Sequence, residues 1–203
     1  MTSDALEEKA MYKTKWVISK FKGGVPDEAK RLYSKAAELL REAKASADRN
    51  CFIGKAREAI ELTKQASKFA HDCEVVDGNL LLNEGIDAIW TLVCGGTEAA
   101  FSEASARIGV GDNNAVADAT QDDLQATTNK VYAGMDAGFP VFGVDQKVIF
   151  QSSFNDGVAE FPWEEFTVDN GDAALKNINR KVEARGTKPA GWVWVVNLEI
   201  TLS

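Results

Sequence analysis

At 203 residues and 22.0 kDa the chain has room for one ordinary domain with an appended element, or for two small domains. Its 45% hydrophobic and 27% charged residues fit a globular protein, and no apolar run nears the roughly 20 residues of a membrane-spanning helix, which sets a bilayer-spanning role aside. The net charge of -8 is uneven: residues 1–79 hold 15 Lys and Arg against 13 Asp and Glu, and 80–203 hold 8 against 18, so the second half lacks the clustered cations that binding nucleic acid requires.

Residues 1–24, ending in Lys22-Gly23-Gly24, read as a flexible or partner-ordered arm, and their mixed charges carry no secretory signal. Pro26-Asp27-Glu28 opens a helix to about residue 50, with Ala29, Leu32, Tyr33, Ala36, Leu39, Leu40 and Ala43 at three- and four-residue spacing. A second helix over 52–71 repeats the pattern through Phe52, Ala56, Ala59, Ile60, Ala66 and Phe69. A hairpin over 25–77 is preferred to one long interrupted helix. Its stripe is rich in Ala and buries little by itself, so Ala36, Leu40, Ile60 and Phe69 are expected to contact a partner surface, whether the rest of this chain, a second copy or another protein.

Beyond the turn at 75–79 a third helix is expected, with Leu82, Ile86, Ile89, Trp90 and Val93 on one face against a sheet and Gly95-Gly96 at its end. From residue 105 the chain reads as strands over 105–112, 147–154, 159–168, 178–184 and 191–202, with a polar loop or short helix over 112–130. In the last strand Trp192, Trp194, Val196, Leu198, Ile200 and Leu202 alternate with more polar residues, the pattern of a half-buried antiparallel strand. The fold class expected is α+β: an N-terminal helical hairpin or arm, then an antiparallel β-sandwich or partly open barrel over 78–203 with one packing helix.

Motifs for chemistry are sparse. His71 is the sole histidine and stands by no nucleophile motif. Cys51, Cys73 and Cys94 form no CxxC pair; they read as free thiols of a reducing compartment or, more sharply, as inter-subunit disulfide positions, and no metal site is expected. Gly109-Val110-Gly111 lacks the third glycine and the βαβ context of a phosphate loop, and is expected to shape a turn. Glu164 and Glu165 are adjacent, so on a strand they point to opposite faces and cannot flank one bond without a bulge. Asp112, Asp118, Asp122 and Asp123 miss the spacing of a calcium loop and read as a solvated acidic segment. No cofactor is expected. Trp90, Trp163, Trp192 and Trp194 are expected in the core, with Arg180 the partner of a buried carboxylate or carbonyl cluster.

The blocks 78–90, 106–112, Phe161-Pro162-Trp163-Glu164-Glu165-Phe166, 178–183 with Gly186-Thr187-Lys188, and 198–203 together resemble a module of tailed-bacteriophage structural proteins. The resemblance covers roughly 78–203 and implies a non-enzymatic virion component, made in the host bacterial cytoplasm. Members of the family serve as head decoration or fibre proteins and the resemblance does not choose between them; the expectation is a capsid decoration protein bound to other virion proteins, the major capsid protein first, with a tail, collar or head fibre protein or adaptor carrying a receptor- or glycan-binding β domain as the alternative. A homo-oligomer, with a trimer suiting a threefold lattice site, follows as the expected state.

Overall fold

A computed structural model describes residues 12–171 and 175–202. Residues 1–11 of the expected arm lie outside these. The remainder of that segment is no arm but a strand, β1 (Tyr12–Lys22). Trp16 and Ile18 on one face and Phe21 on the other are fully buried. Four lysines among its 11 residues mask the alternation. Lys13, Lys15 and Lys22 point to solvent, whereas Lys20 is buried, its Nζ 2.5 Å from Glu74 Oε1 and 4.4 Å above the Trp194 ring.

Helices α1 (Asp27–Ala45) and α2 (Arg49–Ser67) follow as a hairpin. Asp27 and Glu28 in the first turn suit the positive end of the α1 dipole. The break falls at 46–48, earlier than the expected 50–54, because Asp48 caps α2 by accepting from Asn50 N at 2.9 Å. The chain then runs through β2 (Asp72–Asp77), β3 (Leu80–Leu81), α3 (Asn83–Val93), β4 (Arg107–Gly111), β5 (Lys130–Gly134) and β6 (Val141–Val144). It ends with β7 (Lys147–Phe154), β8 (Pro162–Asp169), β9 (Asn179–Thr187) and β10 (Trp192–Leu202). No helix among the described residues is long and apolar enough to cross a membrane.

The strands form two five-stranded antiparallel sheets, ordered β2-β1-β10-β7-β6 and β3-β9-β8-β4-β5. They pack as a sandwich around Trp16, Ile108, Phe154, Trp163, Trp194 and Leu198. Trp163 centres this core, its ring 4.6 Å from that of Trp194 and 4.8 Å from that of Phe154, with Nε1 donating to Ala159 O at 2.9 Å. The sheet therefore does not begin at residue 78: β1 and β2 precede that boundary, and β1 lies in the interior of the first sheet. The hairpin is an insertion between these two neighbouring strands, whose ends stay joined by His71 N donating to Lys20 O at 2.8 Å.

The hairpin covers the outer face of the first sheet. Ala29 and Ala66 pack over Phe21, Val193 and Val195, while Ala36, Leu40 and Ala59 pack over Phe139, Val141 and Ile149. Small side chains let the helices approach closely, and the stripe finds its partner within the chain. This cover also corrects the reading of β10 as half-buried, since Val193 and Val195 are as enclosed as the opposite face. Gly109 and Gly111 form no turn; they sit inside β4 beneath neighbouring side chains, and a Cβ on Gly109 would lie 2.4 Å from Tyr132 Cε1.

Candidate interaction surface

The polar side chains that first suggest chemistry are tied into the fold. A register shift between Trp163 and Glu165 keeps Trp163 in the core and turns Glu165 to the opposite face of β8. There its carboxylate is fully buried, accepting from Arg180 Nε at 2.7 Å, Ala126 N at 2.7 Å and Gln125 N at 2.9 Å. Arg180, equally buried, also donates to Ala115 O and Gln121 Oε1 from the 112–129 segment, which pins that segment over the sheet without a helix. Arg107 forks onto buried Asp169 at 3.1 and 2.5 Å and stacks on Tyr132.

The four aspartates of that region are dispersed rather than gathered. Asp112 accepts from Asn129, Asp118 from Thr120, Asp123 pairs with Lys130 and Tyr132, and Asp122 meets Asn177 through its backbone oxygen. Among the described residues no group of three or more His, Cys, Asp or Glu side chains is placed to hold a metal ion. The three thiols are unpaired within the chain: Cys73 and Cys94 are exposed, Cys51 half-buried.

Trp163, Trp194 and Arg180 lie buried, and Trp192 is half-buried with its ring 5.3 Å from His71. Of the residues expected to meet a partner surface, Ala36 and Leu40 are sealed against this chain's own sheet, the first of the three surfaces allowed for, Ile60 is half-buried beside the same cluster, and Phe69 is 47% exposed. The expectation for Trp90 is overturned, since this side chain is 61% exposed. The cause lies in how α3 is seated. Gly85 presses on the backbone of 177–178 so closely that a Cβ would stand 2.4 Å from Asn177 O, and Ala88 is buried beside it. The helix docks by these small residues, and its large apolar face looks elsewhere.

That face forms one wall of an open cleft of about 940 Å³, the upper part of the size range of ligand and peptide pockets. Ile89, Trp90 and Val93 line it from α3, and Phe142, Phe150 and Leu202 from the first sheet opposite. Leu81 and Ile178 close the end near β3. Val93 is 68%, Leu202 64% and Phe142 57% exposed, so half of the ten exposed large hydrophobic side chains among the described residues, Ile89 and Trp90 included, surround this one cleft. The ionisable lining groups are already engaged: Tyr12 donates to Asn79 Oδ1 at 2.8 Å, with burial pushing its phenol up, and Lys147 pairs with Glu199 at 2.8 Å. Such a lining offers shape and apolar contact. Sequence periodicity identifies the apolar face of α3 but not what it faces, because one helix stripe serves a core or a contact site equally well.

No protein-family model, curated protein or solved structure matches this chain.

Proposed function

We propose that the chain is a non-enzymatic structural protein of a bacteriophage particle, a capsid decoration protein that seats on the assembled shell through the cleft between α3 and the first sheet. The observation that carries this reading is the concentration of exposed Trp90, Val93, Phe142 and Leu202 around one apolar cleft. Contiguous apolar surface of this kind is kept where another protein covers it. The resemblance of 78–203 to phage structural modules supplies the virion, with the major capsid protein as the first partner and a trimer as the state suited to a threefold site.

A fibre, collar or tail adaptor with a glycan-binding β domain is the second reading, and one observation favours it: Trp192 and His71 border a small pocket with Asp72 and Arg185, an aromatic face beside polar groups.

Cosedimentation of the purified chain with particles stripped of it tests the first reading. Saturable binding that Trp90→Ala and Val93→Asp abolish is the expected result. No binding to particles overturns it, and a glycan-array signal lost in Trp192→Ala moves the assignment to the fibre reading.

A further inference from the structure

Between α1 and the outer face of the first sheet a cavity of about 590 Å³ remains. It is lined by Tyr33 and Ala37 from the helix, Val193 and Val195 from β10, and Asp136 and Phe139 from the connection between β5 and β6. It shares no lining residue with the cleft beside α3. Asp136 sets its chemistry. One carboxylate oxygen accepts from Ser153 N at 3.1 Å and the other from Ser153 Oγ at 2.8 Å, and each keeps a second lone pair. Other carboxylates drawn into the fold face a cation, Glu165 meeting Arg180, Asp169 meeting Arg107 and Glu74 meeting Lys20. Asp136 has no ion pair among the described residues, and burial outweighs its two bonds from Ser153 and holds its carboxyl above the ordinary aspartate value. A counter-ion would offset that cost. Lys30 also borders the cavity, but its side chain is 61% exposed and its ammonium is held by Asp27 at 3.3 Å. Gln151, 2% exposed and part of the same lining, donates from Nε2 to Asn197 Oδ1 at 2.7 Å, and its side-chain oxygen accepts no hydrogen bond among the described residues.

We propose that this cavity binds a primary alkylammonium group, its cation on Asp136 and its aliphatic stem against Phe139, Val193 and Val195. The carboxylate and the free Gln151 oxygen accept from the ammonium, and hydrogen bonds from a cation to a carboxylate are about twice as strong as those between neutral groups. The apolar wall takes the stem out of water. A neutral hydroxyl on the same stem gains only the weaker bond, and an anion meets an unpaired carboxylate. The site is independent of the shell contact at the cleft. The group is shared by a free alkylamine and by a lysine side chain of another protein, and the test separates these sources.

The probes are n-butylamine, 1-butanol and N-acetyl-lysine methylamide, added to the full chain, with binding followed through the backbone amide signal of Ser153 in nitrogen-15 NMR. Butylamine is expected to shift that signal saturably, with a dissociation constant in the millimolar range suited to so few atoms, and butanol to bind at least about ten-fold more weakly. Asp136→Asn should weaken butylamine about ten-fold or more and leave butanol little changed. Ala37→Phe, which fills the cavity from the helix and keeps the carboxylate, should abolish both responses. A spectrum otherwise like the parent's separates a lost site from a lost fold. Tighter binding of the lysine derivative than of butylamine upholds the site and names a protein side chain as its source; the opposite order upholds it for a free amine.

Equal affinity for amine and alcohol overturns the proposal, as does an amine response that survives Asp136→Asn or Ala37→Phe. Amine binding that appears only in Lys30→Met also overturns it, because the chain's own lysine would then be the cation that Asp136 holds.

Discussion

Glu165 and Arg180 face each other with no solvent between them, 15 residues apart in sequence and on adjacent strands. Both are fully buried, so each charge depends on the other and on the amides and carbonyls around them. Glu165→Gln leaves the guanidinium without its counter-charge and is expected to lower unfolding free energy by about 3–5 kcal/mol in urea titration. A loss below about 1 kcal/mol would show the pair to be solvated. Spacing alone cannot name Glu165 as the carboxylate Arg180 meets: Glu164 is its neighbour, and the register shift after Trp163, which sets the faces of β8, is not visible in the sequence. Asp136 carries a second residue-scale expectation. Burial holds its carboxyl above the ordinary aspartate value, outweighing the two bonds accepted from Ser153 at 3.1 and 2.8 Å. Because the folded value exceeds the unfolded one, this group's stabilisation is complete below the unfolded value of about 3.9 and is lost as pH rises through the folded value. Stability of the parent relative to Asp136→Asn should therefore fall as pH rises above about 4, read from urea midpoints. A constant offset over that rise would contradict the assigned shift.

At the scale of elements, legibility follows how plainly one face is apolar. The strand expected over 147–154 coincides with β7, and that over 191–202 begins one residue before β10, because each carries a single charged residue, Lys147 and Glu199, in an otherwise uncharged run. Strand β1 escapes because lysines occupy four of its positions and one, Lys20, is buried through an ion pair that only tertiary structure supplies. Short β5 and β6, of five and four residues, offer too few positions for a period to stand out. Helix α3 is legible as a helix, but its burial is not, since the seat is made by Gly85 and Ala88 rather than by its large side chains. The central place of β1 gives a direct expectation. Deleting residues 1–22 removes the strand between β2 and β10 together with Trp16, Ile18 and Phe21, and should abolish cooperative thermal unfolding in circular dichroism. Retention of a cooperative melt would restore the reading of this segment as a dispensable arm.

Across the whole molecule, an antiparallel sandwich is capped on one outer face by an inserted helical hairpin, and the other sheet's outer face is closed by polar segments anchored on Arg180, Glu165 and Asp169. The apolar cleft beside α3 stays open. Its existence depends on residues far apart in the chain, Tyr12, Trp90, Phe142 and Leu202, which no local pattern relates. Charge is legible from the start as an acidic second half, but which acids are spent on partners within the chain, as Glu165, Asp169 and Glu199 are, is not. The hairpin, by contrast, is already packed on its own sheet.

Cryo-electron microscopy of the phage particle, with this chain traced into the density, addresses the cleft as the assembly contact most directly. The expected reconstruction has the chain at repeating positions on the shell, with Trp90, Val93 and Leu202 covered by an apolar surface of a neighbouring protein. A particle that carries the chain with its cleft open to solvent, or lacks the chain altogether, would contradict it.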